Sequence, residues 1–171
     1  MSLRHELRKL IFSAYLLFAA SITLFPVQYT VGTSYPVFNP SQINLVPFKT
    51  ICQTIGILGV SQFSPLFKLG TLVKTIGGNL LLLLPLGFML PHLYKMFRTL
   101  APCLLAASIV SCVIEIIQFV ETSYDFAFNR AMDIDDVLLN VMGALIGFLV
   151  WRTLRNKYCD EKGTIQPQIE S

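Results

Sequence analysis

EIIQFVETSYDFAFNRAMDIDDVLLNVMGALIG, Glu115 to Gly147, is the stretch whose reading decides the fold. An apolar helix carries Glu115 and Gln118, a short linker carries Arg130, and a second apolar helix opens on Asp133, Asp135 and Asp136, with Asn140 following. The other helix-forming stretches of the chain are apolar and nearly uncharged. Polar groups beside or inside segments of membrane length are costly to bury, and they persist where they are used.

Composition points the same way. The chain has 171 residues, 54% apolar and 13% charged, with a mean hydropathy of +0.63. A soluble domain carries about 25% charged residues, so this chain has too little charged surface to stay in water. It reads as a one-domain integral membrane protein. The net charge of +3 comes from scattered basic residues. That argues against nucleic acid as a partner and makes Lys and Arg topology markers. Cys52, Cys103, Cys112 and Cys159 form no C-x-x-C pair and no ligand spacing with His5 or His92. Neither a zinc site nor a disulfide framework is expected.

Outward from the central stretch, apolar runs predict four membrane helices, at about 8–27, 71–91, 99–120 and 133–154. They form a domain over residues 1–157, with a polar tail over 158–171. Leu10 to Val27 is free of charge and is followed by the bulky FPVQY rather than a small-residue cleavage site. It reads as a retained helix, not a signal peptide. Residues 28–70 form an apolar connection broken by Gly and Pro, with Tyr29, Tyr35 and Phe38 suited to the interface. Within it Asn44–Phe48 is turn-like, because the residue before proline avoids the helical region, and Lys49–Leu58 is a short interfacial helix. In the second membrane helix, Pro85 is tolerated if a neighbour satisfies the carbonyl it frees. Small residues Ala101, Ala106, Ala107, Ser108 and Ser111 suit the third helix to close contact. Asp133 to Trp151 spans roughly 28 Å as a helix, and Gly143 and Gly147 make a G-x-x-x-G packing pattern in it. The fold class is an all-α integral membrane four-helix bundle. The N-terminus, the His92–Arg98 loop and the C-terminal tail are basic and fall on one side, so both termini are assigned to the cytoplasm. The polar stretch then lies at the outer leaflet.

Glu115 and Gln118 share a helix face, as do Asp133, Asp136 and Asn140, whereas Asp135 falls on another face, toward solvent. Asn79 lies at a comparable depth on the second helix. If the last three helices pack together, one outward-opening pocket collects Asn79, Glu115, Gln118, Arg130, Asp133, Asp136 and Asn140 as ligand-binding residues. Arg130 would meet an anion. Glu115, Asp133 and Asp136 are the candidates for catalysis, and a desolvated Glu115 suits general acid or base work. Each has a plainer reading. Asp133 is also an N-cap, Glu115 and Arg130 also a structural ion pair, and Asn79 also an interhelical hydrogen bond. Carboxylates with an amide oxygen can hold Mg²⁺ or Ca²⁺, but nothing in the spacing fixes such a geometry, so no metal is assigned.

These residues resemble the VanZ-like family. The matching pieces are Asn44–Phe48 (NLVPF), Gly78–Gly87 (GNLLLLLPLG), Glu115-x-x-Gln118, Arg130-x-x-Asp133-x-x-Asp136 and Asn140-x-x-Gly143. They occur in the family's order over about 100 residues. Leucine stands at Leu80–Leu84 where the family often has phenylalanine. The resemblance implies a small bacterial membrane protein, in the named member one that lowers susceptibility to teicoplanin without change to the peptidoglycan precursor. Three functions are weighed. The first is a module that binds a cell-envelope lipid or lipoglycopeptide. The second is an enzyme acting on a lipid-linked or phosphate-bearing envelope substrate, and the third a structural or assembly partner. The expected partners are an envelope lipid, the cell membrane and a second copy of the chain as a homodimer. No cofactor is assigned.

Overall fold

The computed structural model describes residues 3–24, 43–123 and 132–165. The chain is largely helical. Three helical stretches, Pro65–Leu93, Leu100–Glu121 and Ile134–Tyr158, are long and apolar enough to cross a membrane. The elements in order are α1 (Leu3–Leu24), β1 (Ile43–Asn44), α2 (Lys49–Leu58), α3 (Pro65–Leu72), α4 (Gly78–Leu93), α5 (Leu100–Ser123), β2 (Met132–Asp133) and α6 (Ile134–Ile165). The aromatic residues Tyr29, Tyr35 and Phe38 and the linker with Arg130 lie outside the described residues.

The helix expected from residue 71 begins earlier. Ser64 caps α3 by accepting from the Phe67 N–H at 3.3 Å, and Pro65 occupies the first turn. This is a favoured helix start, since proline has no N–H to leave unpaired there. A single π-helical turn, Val73–Gly77, joins α3 to α4 without a break. At the other end α6 continues to Ile165, well past the expected end at 154. Its last turns are polar but hold no proline before Pro167.

The packing centre is the crossing of α4 and α6, where backbone meets backbone. A Cβ on Gly143 would stand 1.9 Å from the Leu80 carbonyl oxygen, and one on Gly147 would stand 2.0 Å from that of Leu84. Across the same seam, a Cβ on Gly87 would stand 1.9 Å from the Ala144 carbonyl oxygen. Any side chain at these positions would force the helices apart, so this is small-residue packing of the kind that replaces the hydrophobic effect in lipid. Helix α5 lays a narrow face of Cys103, Ala107 and Ser111 into the bundle, all three fully buried. Helix α1 packs on α4 through Phe12, Tyr15 and Ala19, and the Tyr15 hydroxyl donates to the Leu82 carbonyl at 2.7 Å.

Proline inside α4 leaves carbonyls without their helical donors. Pro91 has no N–H for the Gly87 carbonyl, and the Cys103 thiol takes that place with its sulfur 3.8 Å from the oxygen. A residue of α5 thus satisfies the carbonyl that Pro91 frees.

Candidate functional site

At the end of the bundle where α4 and α6 begin and α5 ends, two short strands meet. β1 pairs in parallel with β2, with Ile43 opposite Met132 and Asn44 opposite Asp133. The NLVPF turn is thereby laid against the start of α6. Asp133 is the residue on which these segments converge. Its Oδ1 accepts from the Asp135 N–H at 2.9 Å, which caps α6. The same oxygen accepts from Asn44 Nδ2 at 3.0 Å, while Oδ2 accepts from the Thr50 hydroxyl. Its own backbone N–H donates to Glu115 Oε2 at 3.0 Å. One aspartate therefore joins β1, α2, α5 and α6.

The solvent-facing placement of Asp135 is overturned. Its side chain is 0% exposed. One carboxylate oxygen accepts from the Phe48 N–H, and the other accepts from the Ile51 N–H at 3.1 Å. Helix α2 has no capping side chain of its own, since Phe48 stands at its N-cap. Asp135 supplies that cap from 84 residues further along the chain. Negative charge there is favoured by the unpaired N–H groups and the helix dipole. Phe48 itself takes a left-handed conformation, φ 66°, which is unfavourable for a bulky residue. Asp135 holds it through its N–H.

The other expected residues are placed as follows. Asn79 donates from Nδ2 to Asp136 Oδ1, bridging α4 and α6, and to the Thr75 carbonyl at 3.0 Å in the π turn. Glu115 is 1% exposed. Gln118 lies one turn further along α5 and is half-buried. Asn140, also 1% exposed, donates from Nδ2 to the Ser111 hydroxyl at 2.9 Å. Helices α4, α5 and α6 therefore do pack together, and hydrogen bonds link Asn79 to Asp136 and Glu115 to Asp133. Arg130 lies outside the described residues.

Among the described residues three polar participants escaped the sequence reading as site residues: Asn44, Thr50 and Ser111. Asn44 had a signal, since it opens the NLVPF motif. Ser111 was noted only for its size. Thr50 carried none. A threonine in the first turn of a short helix is ordinary, and its partner stands 83 residues away.

The chemistry of the node is that of carboxylates saturated by neutral donors. Both oxygens of Asp133 and both of Asp135 accept hydrogen bonds from backbone, amide or hydroxyl groups. Among the described residues no group of three or more His, Cys, Asp or Glu side chains is placed to hold a metal ion. Two amide oxygens, Asn44 Oδ1 and Asn140 Oδ1, are buried and accept no hydrogen bond among the described residues. Buried acceptors of this kind call for a donor.

A family model described as VanZ/LLP1 matches residues 12–155. No curated protein and no solved structure matches the chain. The NLVPF turn, Asn79, Glu115, Asp133, Asp135 and Asp136 all fall within the matched residues, and with most of its length covered the chain belongs to the VanZ/LLP1 family.

Proposed function

We propose that the polar node is a binding site for a cell-envelope lipid or a lipid-linked molecule such as a lipoglycopeptide, reached from the outer leaflet of the cell membrane. The observation that carries this reading is the pair of buried amide oxygens, on Asn44 and Asn140, that accept no hydrogen bond among the described residues, beside Asp133 and Asp135, whose carboxylate oxygens all do. A ligand bearing hydroxyl or amide N–H groups supplies the missing donors. The carboxylates and Asn79 fix the frame in which those oxygens are held. In this reading α1 is the fourth crossing of a four-helix bundle with both termini in the cytoplasm. Support comes from the basic residues at the far end of the bundle. Arg8 and His92 line one groove there, and Arg98, Arg152 and Arg155 line another. Glycopeptide tolerance, teicoplanin included, would follow from capture of the lipid-tailed antibiotic at this site.

A second reading is favoured by the same geometry. Asp133 and Asp135 spend their oxygens on internal bonds, which suits a structural or assembly role with no ligand. One experiment separates the two. The full chain is purified in nanodiscs, and retained envelope lipids and added teicoplanin are followed by mass spectrometry. The native protein is compared with Asn140→Leu and Glu115→Gln. The binding reading expects an unaltered lipid or teicoplanin on the native protein and its loss in Asn140→Leu. Equal retention by native protein and Asn140→Leu, or none by either, overturns it and leaves the node structural. A chemically changed lipid formed by native protein and not by Glu115→Gln would instead make the protein an enzyme.

A further inference from the structure

At the end of the bundle opposite the polar node, Arg98, Arg152 and Arg155 surround a pocket of about 340 Å³. Its apolar lining includes Leu100, Phe148 and Trp151. We propose that this pocket binds the phosphodiester of an anionic phospholipid, with the adjoining acyl chain against Leu100.

Charge is the first argument. Three arginines line one pocket, and none of them meets a carboxylate within ion-pair distance among the described residues. Guanidinium forks match phosphate oxygens in shape as well as in charge. Preorganisation is the second. The Arg155 guanidinium lies over the Trp151 ring, 5.3 Å from its centroid, and that ring is itself buried. Arg98 donates from Nε to the Pro91 carbonyl at 3.4 Å, which fixes its stem and leaves its outer nitrogens for a ligand. Arg98 and Arg155 are thus held before an anion arrives, which lowers the ordering cost of binding. Depth is the third. The uncharged run of α6 ends at Trp151, and Arg152 begins the charged turns. Tryptophan followed by arginine marks the headgroup level of a membrane, and basic pockets between helices at that level bind anionic headgroups. Leu100, at the rim of the pocket, is an exposed apolar residue, so the lining suits a lipid better than a free anion.

The test uses the full chain in a neutral detergent, titrated with phosphatidylglycerol, phosphatidylcholine or inorganic phosphate, with binding read by native mass spectrometry. The expected result is apparent affinity for phosphatidylglycerol at least tenfold above that for phosphatidylcholine, with no competition from millimolar phosphate. Arg152→Ala and Arg155→Ala each lower that affinity about fivefold or more, and Arg152→Lys, which keeps the charge but loses the fork, lies between. Arg8→Ala removes a charge from the same end outside this pocket and stays within twofold of native. Three results overturn the proposal: equal binding of the two lipids, full competition by phosphate, or an equal loss in Arg8→Ala. Arg152 and Arg155 are exposed, and each variant is scored only if its elution profile matches native protein.

Discussion

Asp135 offers the sharpest test of the structural argument, because its two readings differ completely. On a solvent face, Asp135→Ala would change almost nothing. In the structure it removes the carboxylate that holds both the Phe48 and Ile51 N–H groups. A hydrogen bond to a charged group contributes about 1.5–3 kcal/mol. Phe48 lies at an exposed turn, so water replaces part of the loss on that side. The net cost to the docking of α2 is then about 2–4 kcal/mol, or roughly a 30- to 700-fold change in its opening equilibrium. The assay is hydrogen exchange by mass spectrometry on the full chain in detergent, following the amides of Cys52 to Leu58. The Cys52 N–H closes the first turn of α2 on the Phe48 carbonyl at 2.9 Å, so exchange there reports the cap directly. Asp135→Asn should fall between native and Asp135→Ala, since a carboxamide accepts at one oxygen only and leaves one N–H facing a donor. If Asp135→Ala folds and exchanges α2 within twofold of native, the capping argument is wrong.

Other outcomes follow from the same geometry. Phe48→Gly relieves a left-handed residue whose ring is 61% exposed, so thermal unfolding should show a gain of about 0.5–1 kcal/mol; a lower melting temperature would mean the ring carries contacts that outweigh the strain. Gly147→Leu must part α4 from α6, because even a Cβ would lie 2.0 Å from the Leu84 carbonyl oxygen. It should cost about 3 kcal/mol or more and broaden the size-exclusion peak. Gly56→Ala on α2 meets nothing within 4 Å and should raise stability by up to about 1 kcal/mol. Cys103→Ala strands the carbonyl that Pro91 frees and should cost about 1 kcal/mol in thermal unfolding, whereas Cys103→Ser keeps a donor and should be near neutral.

A membrane protein built on apolar helices was plain from the sequence, because hydropathy and charge content are local properties that survive without knowledge of contacts. So were Lys49–Leu58 as a short helix, the packing glycines of α6, and the polar residues that open it. Spacing placed Glu115 with Gln118, and Asp133 with Asp136 and Asn140, since a helix repeats every 3.6 residues whatever surrounds it. The tertiary structure decided where the NLVPF turn goes. Its parallel pairing with Met132–Asp133 joins residues 89 positions apart, and no periodicity in either segment encodes that. The same return of the chain turned Asp135 from a residue on the wrong face into the cap of another helix. It also recruited Thr50, which had no local mark. Helical phase tells which side chains share a face, but only the packed chain tells what stands opposite that face.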